Sequence, residues 1–177
     1  MRATTVRMAF LASALACFVY PGQAAAGQAR WLAATKDELR AVIPARAPVI
    51  KENIETEFRT ASGVTDGRGK FIAGVVMITA GYSAEGNYSH YFVTQVPLDL
   101  GDLRLAPGQY VFGSKRASDD TLRISFYFAA SGELVGAADA HRDRGSHAVS
   151  SLLINSLAGG RGTIQIGRFV LEYRVAA

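Results

Sequence analysis

The sequence predicts an all-β domain: an antiparallel eight-stranded up-and-down meander, closed as a barrel or else folded as a two-sheet sandwich, with one short N-terminal helix. Two observations carry this. The first is period-2 alternation, clearest where Leu122, Ile124, Phe126 and Phe128 fall on one parity and Arg123, Ser125 and Tyr127 on the other, the pattern of a half-buried strand. The second is a series of polar or glycine-bearing turns at short intervals, such as Ser131-Gly132 and Ala117-Ser118-Asp119-Asp120, which join successive strands as hairpins.

The first 26 residues read as a separate unit. Arg2 and Arg7 precede an apolar run over 8–20, and Ala24, Ala25 and Ala26 supply a small-residue cleavage site, so residues 1–26 form a secretory signal peptide. The run is shorter than the roughly 20 apolar residues that a spanning helix needs. Cys17 offers a rival reading as a lipid-attachment site, disfavoured by Ala14 and Leu15 before it and by apolar Phe18 and Val19 after it. The expected location is the periplasm or the exterior, with no membrane span.

Cleavage would remove the only cysteine, so neither a disulfide nor a thiolate-held metal can stabilise the mature chain. Losing Arg2 and Arg7 lowers the net charge from +4 to about +2. Such mild basicity on an exported chain is no argument for a nucleic-acid partner.

Residues 27–53 form an N-terminal segment. Thr35, Lys36, Asp37 and Glu38 make a capping box opening a helix over 36–43, whose apolar stripe is Leu39, Val42 and Ile43. Pro44 and Pro48 then hold the chain extended. The β domain occupies 54–177. Its first strand spans 54–64, and Asp66-Gly67-Arg68-Gly69 turns into 71–82, where Ile72, Val75, Val76, Met77 and Ile78 run without a polar break. A strand apolar on both faces is normally central and covered on both sides.

Residues 88–96 return, and the long connection over 97–108 carries Leu98, Leu100, Leu103 and Leu105, which should lie against the core. Leu105, Gly108 and Tyr110 form an L-x-x-G-x-Y strand entry with the Tyr110 hydroxyl at the rim. Strands at 109–116, 121–130, 133–141, 150–157 and 163–175 complete the count. In the last, Ile164 and Ile166 share one parity and Phe169, Leu171, Tyr173 and Val175 the other, so a bulge near Gly167 is expected. An outer-membrane barrel would need clean apolar-out alternation in every strand, which 71–80 and 133–141 lack.

Two groups of residues are candidate sites. Asp139, His141, Asp143 and His147 could converge on zinc or manganese and support metal-dependent hydrolysis. Arg142 and Arg144 oppose that, and a solvated strand end with Asp–Arg pairing is the plainer reading. The second group is set by the small side chains of Val135, Gly136, Ala137, Ala138 and Ala140. They leave space beside Tyr110, Phe126 and Phe128 that either neighbouring aromatics or a small apolar ligand must fill, with Tyr110, Phe126, Phe128, Ala138 and Ala140 lining it.

No nucleophile elbow is present, and Gly67-Arg68-Gly69-Lys70 fails as a phosphate loop because Val64 and Phe71 occupy required positions. His90, inside a strand, reads as a packed or hydrogen-bonded histidine. The expected protein is therefore a monomeric, non-catalytic binding or structural domain of the cell envelope, with no cofactor. Its expected partner is an envelope protein or a small apolar ligand.

Overall fold

A computed structural model describes residues 30–145 and 148–176, so the expected leader, Cys17 and His147 lie outside the described residues. After the two-residue strand β1 (Leu32–Ala33) the capping box is in place. Thr35 Oγ1 accepts from the Glu38 amide at 3.3 Å, and Glu38 Oε2 accepts from the Thr35 amide at 2.8 Å, opening helix α1 (Lys36–Val42). The proline-bounded stretch is extended and pairs as β2 (Arg46–Val49) with the start of the long strand β3 (Glu52–Thr65).

β4 (Phe71–Met77) is shorter than expected, because the chain leaves the ladder at Ile78 and does not pair again until β5 (His90–Thr94). That connection lies over β8 (Gly108–Arg116), where Asn87 O sits in the place of any side chain at Gly113. The connection over 97–108 folds as a small hairpin, β6 (Leu98–Leu100) and β7 (Leu103–Leu105), with Leu98, Leu100 and Leu105 fully buried as anticipated. β9 (Thr121–Phe128), β10 (Leu134–Arg142) and β11 (Ser150–Ser156) follow, then a 3₁₀ turn at Ala158–Gly160, β12 (Arg161–Gly167) and β13 (Phe169–Val175).

The strands form one nearly closed, barrel-like antiparallel sheet in the order β1-β3-β4-β5-β8-β9-β10-β13-β12-β11. It is all-β as expected, but with thirteen strands among the described residues, and the up-and-down order holds only as far as β10. β11 does not pair with β10; the last three strands are laid in reverse, which puts β13 beside β10. Residues 163–175 are likewise not one bulged strand. Ile166 pairs with Phe169 across a two-residue turn, with Gly167 at φ 61°, and this reversal packs both parity groups against the core, Ile166 and Val175 half-buried.

Two apolar layers flank the sheet. Inside, Phe92, Phe112 and Phe126 pack with centroids 5.2–6.3 Å apart among Leu98, Leu100, Leu105, Ile154, Ile164 and Tyr173. Outside, Leu39 of α1, Ile43 just after it, and Ala47 and Val49 of β2 cover Ala73, Val75, Tyr91, Val93 and Val111. β4 and β5 are thus apolar on both faces because both faces are covered. The outer face that a lipid-facing barrel would present is, over these strands, occupied by protein. No helix among the described residues is long and apolar enough to cross a membrane.

The barrel closes where β11 meets β3, and serine side chains hold that seam. Ser62 Oγ accepts from the Ile154 amide at 2.9 Å, and Ser156 Oγ donates to Trp31 O at 2.7 Å. His90 reaches the same seam from inside. Its Nε2–H donates to Ser151 O at 3.4 Å, Ser89 Oγ donates to Nδ1 at 2.8 Å, and the ring stacks on Phe112 at 4.5 Å.

Burial lowers the His90 pKa to about 4. The unfolded chain therefore binds a proton at higher pH than the folded one. The stability this neutral histidine contributes is complete above about pH 6.5 and is lost as pH falls toward about 4. The full loss is roughly 3 kcal/mol. Urea unfolding between pH 6.5 and 4.5 should show this decline in the native protein and a shallower one in His90→Gln; equal slopes would contradict it.

Candidate functional site

The reversed placement of the last three strands creates an opening in the sheet. β13 pairs with β10 only at His141↔Val170 and Arg142↔Phe169, and at its other end it pairs with β6, at Arg174↔Asp99 and Val175↔Leu98. Between these points β10 and β13 diverge. Leu103, from the β6–β7 hairpin, packs against Gly136, where a Cβ would meet its Cδ1 at 2.7 Å, so the hairpin wedges the fork open. The result is a groove of about 1020 Å³. Leu100, Gly101 and Asp102 of the hairpin tip close one end, and His141, Arg142 and Asp143 lie at the other.

Strand alternation decides which backbone groups face the groove. The Arg142 amide donates to Asp120 O on the β9 side, whereas the Asp143 amide donates to Arg168 O on the β13 side. Alternate residues share a side. Ala137 and Asp139 therefore turn their amides and carbonyls toward the groove. On β13 the Ala176 amide donates to Pro97 O beside β6, which by the same alternation turns the backbone of Glu172 toward the groove. None of these three residues has a ladder partner on that side.

The walls are polar and the floor is apolar. Arg123 forms a bidentate pair with Asp139, Nε–Oδ1 and Nη2–Oδ2 both 2.8 Å, and its guanidinium holds the Asp139 carboxyl below the usual carboxylate range. Arg142 donates from Nε to Asp119 O at 3.1 Å and stacks over Phe169. Gln165, buried, gives both Nε2 protons away, to Ala148 O at 2.9 Å and Gly167 O at 3.0 Å. Its Oε1 is left as an acceptor without a partner among the described residues. Ala138, Leu100 and Leu171 form the floor.

The groove gathers three of the four proposed metal ligands, Asp139, His141 and Asp143. Among the described residues, no group of three or more His, Cys, Asp or Glu side chains is placed to hold a metal ion. Asp139 is engaged by Arg123, Asp143 Oδ1 accepts from the Gly145 amide at 2.8 Å, and His141 is exposed. Arg144 pairs with Asp120 at 3.0 Å. The Asp–Arg pairs at this strand end run to the neighbouring strand and loop, Asp139 to Arg123 and Arg144 to Asp120.

The proposed apolar-ligand residues separate. Tyr110, Phe126 and Ala140 belong to the filled interior, and the Tyr110 hydroxyl donates to Ala106 O at 2.7 Å, the arrangement of a tyrosine corner. Phe128 stacks on Tyr110 at 5.6 Å but is 41% exposed at the rim. Ala138 alone touches both the core and the groove. The inner space beside the small side chains of β10 is taken by the three phenylalanines, while on the outer side the same small residues border the opening.

Sequence reasoning missed Asn155, Thr163, Gln165 and Glu172. Their outward parity was legible, but their nearness to Asp139 depends on a strand order that local patterning does not encode. Protein-family models, curated proteins and solved structures yield no match to this chain.

Replacing Tyr110 with Phe removes the donor to a carbonyl at the strand entry. The expected loss is about 1 kcal/mol. Urea unfolding should show a lower midpoint with an unchanged slope, and an unchanged midpoint would contradict a structural role for the hydroxyl.

Proposed function

We propose that the protein is an exported, non-catalytic binding module of the cell envelope, acting as a monomer, and that the groove between β10 and β13 is its ligand site. The observation that carries this reading is the opening itself. At about 1020 Å³ it stands at the upper end of the roughly 300–1,000 Å³ typical of ligand sites, and it combines an apolar floor with polar walls in the usual manner.

Binding is favoured over chemistry because Asp139 is already paired with Arg123 and Asp143 accepts from its own loop. The ligand carries an apolar portion, which rests on Ala138, Leu100 and Leu171. This keeps the small-residue strand as the reason for binding and moves the bound molecule from the packed interior to the outer face.

Ala137 is exposed on the groove wall, so Ala137→Trp should fill the opening without overpacking the core. Native mass spectrometry of protein recovered from its own envelope should show a bound species in the wild type and its loss in the variant. Wild-type protein that carries nothing, in spectra indistinguishable from those of the variant, overturns the reading.

A further inference from the structure

We propose that the groove accepts a short extended peptide segment as an added strand, with cationic outward side chains flanking an apolar one. The inference rests on the groove being the ligand site and names the ligand's chemistry. It stands on three features of the fork.

The first is the pair of open edges. Ala137 and Asp139 on β10 and Glu172 on β13 present backbone donors and acceptors to the groove without ladder partners, and such edges are completed by an incoming strand. The protein does this itself one step away, where the three-residue strand β6 completes the edge of β13 at Arg174 and Val175. The vacancy beyond β6 spans Leu171, Glu172 and Tyr173, about 10 Å of strand, which suits three extended residues.

The second feature is charge. Asp102, Asp139 and Glu172 line the groove against two guanidinium groups, Arg123 and Arg142, and both guanidinium groups are already held, by Asp139 and by Asp119 O. The excess is negative although the chain as a whole is basic. Gln165 Oε1 adds a further acceptor on the same wall.

The third is the two-sided character of the opening. Asp139 and Glu172 face outward, whereas Ala138 and Leu171 face the floor. A strand laid between them turns alternate side chains to the two sides, so its first and third residues meet the carboxylates and its second meets the apolar floor.

The probe is acetyl-Lys-Val-Lys-amide, titrated into the protein by calorimetry, with backbone amide shifts followed by NMR. Binding should weaken as salt is raised, shift the amides of Ala137, Asp139 and Glu172, and fall roughly two- to fivefold in Glu172→Gln, the range for one exposed ion pair. Equal binding of acetyl-Glu-Val-Glu-amide overturns the charge assignment. Equal binding of a Lys-Val-Lys peptide methylated on all three backbone nitrogens overturns strand addition. If Ala137→Trp displaces a species carried from the envelope while Lys-Val-Lys fails to bind at millimolar concentration, the peptide inference falls and the groove stands as the ligand site.

Discussion

The outer edge of β13 is shared between two partners, and the shape of the molecule follows from that division. One strand cannot stay in register with β10 and with β6 along the same edge, so β10 pairs at residues 169–170, β6 at 174–175, and the stretch between pairs with neither. The split forces β10 and β13 apart, and Leu103 against Gly136 keeps them apart. An open pair of strand edges is normally a liability in a sheet protein. Here it is confined to a few residues, walled by paired charges and floored by the core.

The remainder of the fold makes this opening tolerable. With Cys17 the only cysteine in the chain, the described domain relies on burial, and it buries both faces of its central strands. The phenylalanine cluster fills the interior, and α1 with β2 covers the outside of β4, β5 and β8. Ser62 and Ser156 close the β11–β3 seam through hydroxyl contacts, without a continuous ladder, and His90 packs against it in its neutral form. The covered side of the barrel is therefore the one carrying α1 and β2, and the groove lies across β10 and β13, outside that cover.

Much of this was legible in the letters. The alternation at Leu122–Phe128, the capping box at Thr35 and Glu38, and the doubly apolar run from Ile72 each reflect a local rule that the fold obeys. The strand order after β10 was not legible, because pairing between distant strands leaves no local trace. The turn at Gly167 and Arg168 illustrates the ambiguity: a bulge and a two-residue hairpin produce the same parity change, and only tertiary packing distinguishes them. For the site, the small side chains of β10 marked the right strand, and Asp139, His141 and Asp143 the right end of it. Glu172 and Gln165 escaped notice because they reach the groove only through the unexpected neighbour.

The open fork is tested most directly by residue-resolved hydrogen exchange of the native protein. The amides of Ala137, Asp139 and Glu172, which face the groove, should exchange much faster than those of Ala138, Ala140 and Leu171, which face paired strands. An alternating pattern of that kind along β10 and β13 is the result expected. Uniform protection of all six would mean that the two strands are joined, and would contradict the groove and everything inferred from it.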